Sequence, residues 1–237
     1  MIGNLDQLRI WAEEQAHYLR QRGVAFDNEG FPLLPEECFL SDWPEYIVDF
    51  YHRNGTLVVN REKALICHFR DDRTIYRRLE HVHEDIDIYR GFMGVCASDV
   101  TVTRDMDIEW QAFSMLVNQL FMAVLAVNGI KVVPSTRCGD EQSTRHLSSI
   151  PKGMLWISST LGCDNLRHAS DLEYVSKIMR IRPRGIMLYG KRDPILEAQL
   201  DTVGVAYRNY GDVHDAYKTT VTSTIPSSQF QYRISPE

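Results

Sequence analysis

The sequence lacks the features that would assign the chain to a membrane or to an oxidising compartment. It contains no uninterrupted apolar run of the roughly 20 residues that a membrane-spanning helix needs, so we expect no membrane partner. Only five cysteines are present, an odd number without closely spaced pairs, which favours reduced thiols. The first residues lead into an amphipathic segment rather than a signal-peptide core, and we therefore expect a cytoplasmic protein.

An excess of positive charge is also missing. Lys and Arg number 26 against 32 Asp and Glu, which gives a formal net charge of -6. Because attraction to nucleic acid relies on clustered Lys and Arg, this balance argues against nucleic-acid binding. Hydrophobic residues make up 44% of the chain and charged residues 24%, as in globular proteins, which excludes a disordered chain.

The signature motifs of several common enzyme classes do not occur in the sequence. There is no Walker lysine motif, no GxGxxG fingerprint, no HExxH zinc motif and no GxSxG nucleophile elbow. A function must therefore be inferred from the polar residues and from where they stand relative to the predicted helices and strands.

Apolar periodicity divides the chain into three parts of one structural domain. Residues 1–55 comprise a helix at 5–22, whose stripe includes Leu8, Trp11 and Leu19, and a proline-interrupted capping segment in which residues 45–51 look helical. Residues 56–210 form the core, and the Ser- and Thr-rich tail at 211–237 shows no clear period.

Short apolar runs alternate with helical patterns through the core. The runs predicted as strands are residues 56–60, 64–69, 92–97, 130–133, 154–158, 185–189 and 203–207. Such alternation predicts an α/β fold with a parallel sheet. Five or six good strands favour a barrel-like or partly open barrel arrangement behind the N-terminal helical cap, and an open doubly wound sheet remains the alternative.

Polar residues follow these strands, at the edge where parallel α/β folds bind their ligands. Asp71, Asp99 and Asp140 could meet to bind a divalent cation such as Mg²⁺ or to exchange protons. The candidates for ligand binding are Asp72, Arg137, Ser159, Thr160, Tyr189 and Lys191. Arg137 and Lys191 would neutralise an anion. Capping of the following helices or turns is the alternative role for Asp72 and Asp99.

The order of these strand ends resembles domain-of-unknown-function family 4417, an uncharacterised family of bacterial, phage and plasmid proteins. The residues that carry the resemblance are 68–72 (HFRDD), 97–101 (ASDVT), 119–129 with 132–134, 157–162 (ISSTLG), and 182–183 with 188–190. The resemblance implies the α/β domain and a mobile-element context, and it assigns no reaction. The sequence departs from the family pattern at Val100, Thr101 and Arg137.

Three functions remain open from the sequence. The first is an enzyme acting on a small anionic or phosphorylated ligand, such as a nucleotide derivative, at the carboxyl ends of the strands. The second is a noncatalytic phage or plasmid accessory protein that binds a host protein or a signalling nucleotide. Direct nucleic-acid binding is the third and least favoured. For the first, we expect Asp99→Asn to abolish activity and to leave the fold nearly intact, as for an exposed loop residue.

Overall fold

The computed structural model describes residues 2–159 and 171–212. Helix α1 (Leu5–Gln21) opens the chain, and the Asn4 side chain caps it by accepting a hydrogen bond from the Gln7 backbone N–H. Leu8, Trp11 and Leu19 lie on its buried face, as the periodicity predicts. A two-stranded antiparallel ribbon follows, made of β1 (Ala25–Phe26) and β2 (Pro32–Leu33).

Seven parallel strands then follow one another in chain order. They are β3 (Tyr46–Asp49), β4 (Ala64–Cys67), β5 (Gly94–Cys96), β6 (Val132–Val133), β7 (Leu155–Ser159), β8 (Gly185–Tyr189) and β9 (Ala206–Tyr210). Strands β3 to β6 form one sheet and β7 to β9 another, and a parallel bridge between Ser135 and Ile157 connects them. No ladder joins β9 to β3 within the described residues, although the Tyr210 hydroxyl donates to the Pro44 carbonyl at 2.8 Å.

Helices follow most of these strands and cover them. They are α2 (Asp72–Glu80) and α3 (Ile86–Tyr89) after β4, α4 (Ile108–Val127) after β5, α5 (Asp171–Ile181) after β7 and α6 (Pro194–Thr202) after β8. Helix α4 has the length and apolar composition of a membrane-spanning helix, but 72% of its most apolar window is buried inside the protein. It is therefore accounted for as a core helix, apolar nearly all round because it packs on more than one side.

Two separate hydrophobic cores show that the strands curl around an interior. Alternate residues of all seven strands form the inner core: Ile47, Leu65, Cys67, Cys96, Val133, Leu155, Ile157, Met187, Tyr189 and Tyr210. In the described part of the chain, no helical residue belongs to it. The outward residues, such as Ile66, Val95 and Trp156, pack with the helices in the second core. In an open doubly wound sheet, helices would cover both faces, so the partly open barrel is confirmed over that alternative.

The amino-terminal end of this barrel is closed by an aromatic ring. Trp43 packs against the inner core, and the Arg208 guanidinium carbon lies 4.8 Å from the centre of the Trp43 ring. A Cβ atom on Gly185 would lie 2.5 Å from Cζ2 of Trp43 and 3.2 Å from the Ala206 carbonyl oxygen. Glycine is thus required at the first position of β8 for the tryptophan to pack.

We expect Gly185→Ala to lower the free energy of unfolding by about 1–3 kcal/mol, because the added methyl group overpacks the contact with Trp43. The measurement is the urea unfolding midpoint followed by circular dichroism. Gly211→Ala is the matched control, since a Cβ there meets nothing within 4 Å. An equal shift of both variants would contradict the packing argument.

Two local predictions about the beginning of the barrel were wrong. Residues 45–51, which look helical, contain β3, and residues 56–60, predicted as a strand, form turns in which Val59 is 89% exposed. A short apolar run does not distinguish helix from strand by its period, and pairing of β3 with β4 decides the outcome. The first barrel strand therefore precedes residue 56, inside the segment that we expected to be a cap.

Candidate functional site

A buried ion pair joins the carboxyl ends of two neighbouring strands. Asp99 follows β5 and Arg137 follows β6, and the parallel pairing of these strands brings the two side chains together. The Arg137 guanidinium donates to both carboxylate oxygens, from Nε to Oδ1 and from Nη2 to Oδ2, the second at 2.8 Å. The side chains are only 7% and 17% exposed, respectively. Bidentate geometry of this kind fixes the orientation of the guanidinium plane.

Two opposing effects act on the ionisation of Asp99. Burial raises the pKa of this carboxyl, the Arg137 charge and hydrogen bonds lower it, and the nearby Asp72 carboxylate raises it again. The net result is a pKa above the ordinary value. Asp72 itself accepts hydrogen bonds from the Thr101 backbone N–H at 2.9 Å and from the Thr101 hydroxyl at 3.0 Å. Asp72 thus ties the segment after β4 to the loop after β5.

A cavity of about 300 Å³ adjoins Arg137. Its polar lining includes Asn118 and Gln119 of α4 and Ser135. The Asn118 amide holds the loop after β5 because its oxygen accepts from the Ser98 hydroxyl at 2.8 Å and from the Val100 N–H at 2.9 Å. Sequence reasoning missed these two amides. Their signal was two adjacent amides inside an otherwise apolar helix.

The structure places Asp71 and Asp140 in local caps. Asp71 is exposed and accepts hydrogen bonds from the Thr74 N–H at 3.0 Å and hydroxyl at 2.8 Å, which lower its pKa. Asp140 accepts from the Ser143 N–H at 2.9 Å. Among the described residues, no group of three His, Cys, Asp or Glu side chains could hold a metal ion. These residues do not supply the carboxylate cluster expected for Mg²⁺, and Asp72 is the carboxylate found to act on Asp99.

The remaining candidates lie on the second half of the barrel. Ser159 ends β7 and is half-buried, and Lys191 is exposed in the loop after β8. Tyr189 is only 1% exposed, stacks on Phe69 with ring centres 5.4 Å apart, and donates its hydroxyl to Asp212 at 3.2 Å. It therefore belongs to the inner core beneath the rim. Thr160 lies outside the described residues.

A second buried carboxylate at this end of the barrel escaped the sequence reasoning. Asp49 ends β3, is 3% exposed, and bonds to the His52 imidazole, the Tyr51 N–H at 2.8 Å and Arg70 Nη2 at 3.2 Å. Burial alone would raise its pKa, but the His52 hydrogen bond and the Arg70 charge lower it below the ordinary value. The helical interpretation of residues 45–51 concealed the strand end that Asp49 occupies.

The fold and this rim define a partly open α/β barrel with buried charged pairs at the carboxyl ends of its strands. The chain belongs to the family described as domain of unknown function (DUF4417), which it matches over residues 26–210, more than half of its length. The match runs through all seven barrel strands and ends at the last residue of β9. No curated protein and no solved structure matches the chain.

Proposed function

We propose that this protein is an enzyme that binds a small anionic or phosphorylated ligand, such as a nucleotide derivative, at the carboxyl-end rim of the barrel. The observation that carries the proposal is the buried, bidentate Asp99–Arg137 pair beside the cavity lined by Asn118 and Ser135. A guanidinium held in one plane recognises carboxylate and phosphate oxygens with defined geometry. Strand ends are also where α/β barrels place their catalytic groups.

The proposed roles follow from the surroundings of each side chain. Arg137 holds the anion, and Asp99 positions Arg137 through its two hydrogen bonds. Asp72 and Asp99 are two carboxyl groups in different environments, one hydrogen-bonded to Thr101 and the other buried against an arginine. Carboxyl groups whose environments differ in this way can divide the roles of acid and base. Within this proposal, Asp99 with its raised pKa exchanges protons with the ligand.

The second candidate is a noncatalytic accessory protein of bacteria, phages or plasmids that captures a signalling nucleotide or a host protein. The capping roles of Asp71 and Asp140 favour it, because they leave fewer carboxylates for chemistry. Both candidates operate in the cytoplasm, and the four described cysteines support this compartment because all of them are free thiols.

A ligand screen with one conservative variant tests the proposal. Nucleotides, sugar phosphates and small carboxylates are each tested for a rise in the thermal unfolding midpoint, with and without Mg²⁺. A ligand at a hundredfold its dissociation constant adds about 2.7 kcal/mol of stability. Arg137→Lys keeps the charge and loses the bidentate geometry, so we expect at least tenfold weaker binding of the ligand found. Arg145→Lys, at an arginine that is 51% exposed, is the control.

Turnover of the identified ligand, followed by chromatography of the products, separates the two candidates. Product formation that depends on Asp99 supports the enzyme, and tight binding without turnover supports the accessory protein. A panel in which no compound stabilises the protein beyond sodium chloride at matched ionic strength rejects anion binding at this rim. Equal binding by the Arg137→Lys and Arg145→Lys variants places the ligand elsewhere.

A further inference from the structure

A narrow cleft lies at the other side of the rim, where β3 and β4 end. It encloses about 190 Å³, and its lining includes Tyr51, His68, Arg70, Thr74 and Arg78. Since a water molecule takes up about 30 Å³ in the liquid, this space suits a compact group and is too small for a whole nucleotide. None of the residues on its walls belongs to the cavity beside Arg137.

The two guanidinium groups of this cleft are held in place. Arg70 pairs with Asp49 at 3.2 Å, and Arg78 pairs with Asp85 at 2.7 Å. Aromatic faces support both groups: the Arg78 guanidinium lies 4.6 Å from the Phe50 ring centre, and that of Arg70 lies 5.6 Å from the Tyr51 ring centre. Charge pairing and stacking together limit the orientations of these two side chains.

Each of the two arginines retains a donor without an acceptor. The Nε atoms of Arg70 and Arg78 are buried and make no hydrogen bond to any described residue. A buried N–H without a partner is costly, and buried polar groups in native proteins nearly always find an acceptor. Two such donors on the walls of one cleft are best explained by an acceptor shared between them. Arg70 is 29% exposed, so a small rotation of its side chain gives that acceptor access.

The charge of the surroundings favours an anionic acceptor. Arg53, whose guanidinium stacks 4.1 Å from the Phe50 ring centre, adds a third positive charge to those of Arg70 and Arg78. Asp49 and Asp85 supply two negative charges. Burial, with the Arg78 charge as a second cause, lowers the pKa of His68 to about 3, so this imidazole is neutral at pH 7. The count leaves one positive charge that an anion would neutralise.

We propose that the cleft between Arg70 and Arg78 is a binding site for one compact oxyanion of the phosphate type. The Nε–H groups of both arginines donate to its oxygens, and the aromatic faces of Phe50 and Tyr51 keep the guanidinium groups oriented. The oxyanion is either free inorganic phosphate or the terminal phosphate of a larger ligand that extends out of the cleft. The site is independent of the Asp99–Arg137 pair and stands whether or not that pair binds a substrate.

Arginine side-chain NMR on the full chain tests this site directly. Protein with ¹⁵N-labelled arginine is titrated with inorganic phosphate at pH 7, and a parallel titration with sodium chloride at matched ionic strength serves as the reference. We expect two Nε–Hε signals to move with phosphate alone. The Arg70→Lys and Arg78→Lys variants identify them, and each variant should bind phosphate at least tenfold more weakly.

Controls on the same helix and at the other rim make the result specific. Arg73→Lys and Arg77→Lys alter exposed arginines of α2 and should leave phosphate affinity unchanged. Arg137→Lys should also leave it unchanged, which separates this site from the proposed enzyme site. If Arg78→Lys does not fold, then Arg70→Lys and the unmodified protein decide. Phosphate shifts no larger than those with chloride, or equal losses in the Arg73→Lys control, overturn the proposal.

Adenosine monophosphate and adenosine identify the source of the oxyanion. Equal affinity for inorganic phosphate and adenosine monophosphate, with no binding of adenosine, assigns the site to free phosphate. Tighter binding of the nucleotide assigns it to the phosphate group of a larger ligand. Binding of adenosine as tightly as of the nucleotide overturns the site, because recognition would then not depend on an oxyanion.

Discussion

Replacing Arg137 with methionine should lower the free energy of unfolding by about 3–5 kcal/mol, because it leaves the Asp99 carboxylate buried without its partner. Asp99 is 7% exposed, so water does little to compensate for the lost pair. The measurement is urea unfolding at pH 7. Arg145→Met is the matched control, because its pair with Glu29 is about half exposed and such pairs contribute about 0–1 kcal/mol.

A double-mutant cycle shows whether this loss comes from the pair. In Asp99→Asn with Arg137→Met, the buried negative charge is gone, so the double variant should be more stable than Arg137→Met alone. Asp99→Asn by itself also loses stability, since it weakens both hydrogen bonds to Arg137. The sequence-based expectation of a nearly intact fold was therefore based on an exposure that Asp99 does not have. A loss below about 1 kcal/mol in Arg137→Met would contradict the buried-pair account.

Acidification should destabilise the protein through His68, and a phenylalanine at this position should remove that effect. Burial lowers the pKa of His68 from 6.5 to about 3, so the unfolded chain binds a proton there that the folded protein does not bind. The resulting stability is present above pH 6.5 and is lost as the pH falls below it. Between pH 7 and pH 4.5 the loss from this one group is about 2.5 kcal/mol.

Urea unfolding at both pH values measures the effect. The change in unfolding free energy between pH 7 and pH 4.5 should be about 2.5 kcal/mol smaller in His68→Phe than in the unmodified protein. The ring fits among Phe50, Tyr89 and Phe121, and the cost at pH 7 is about 1 kcal/mol for the contact with the Tyr89 hydroxyl. His17→Gln, at an exposed histidine, is the control. An unchanged pH dependence in His68→Phe would mean that His68 protonates in the folded state.

The sequence predicted the barrel better than the site because strands and helices carry local signals. The apolar runs at 64–69 and 185–189 contain β4 and β8, and the cap at Asp193 with Pro194 marks the start of α6. The first strand was misread because Ile47 and Val48 become a strand only by pairing with β4. The run at 203–207 likewise precedes the observed β9 by three residues.

The candidate residues show where local reasoning ends. The sequence singled out Asp71, Asp72 and Asp99 as polar residues that follow strands, and their order in the chain was correct. It did not distinguish the cap formed by Asp71 from the link between Asp72 and Thr101, because both begin with an aspartate after a strand. Asp49 and Arg70 come from strands 21 residues apart and were not recognised as a pair.

By itself, the sequence determined the class of fold, its parallel strands and the edge on which charged residues collect, because each of these depends on the period and order of residues along the chain. The tertiary structure decided which charges meet. Asp99 reaches Arg137 and Asp49 reaches Arg70 only after the barrel sets the register of neighbouring strands. Burial then determines what these pairs can do, because removing water raises the pKa of Asp99, keeps His68 neutral and strengthens every charge at the rim.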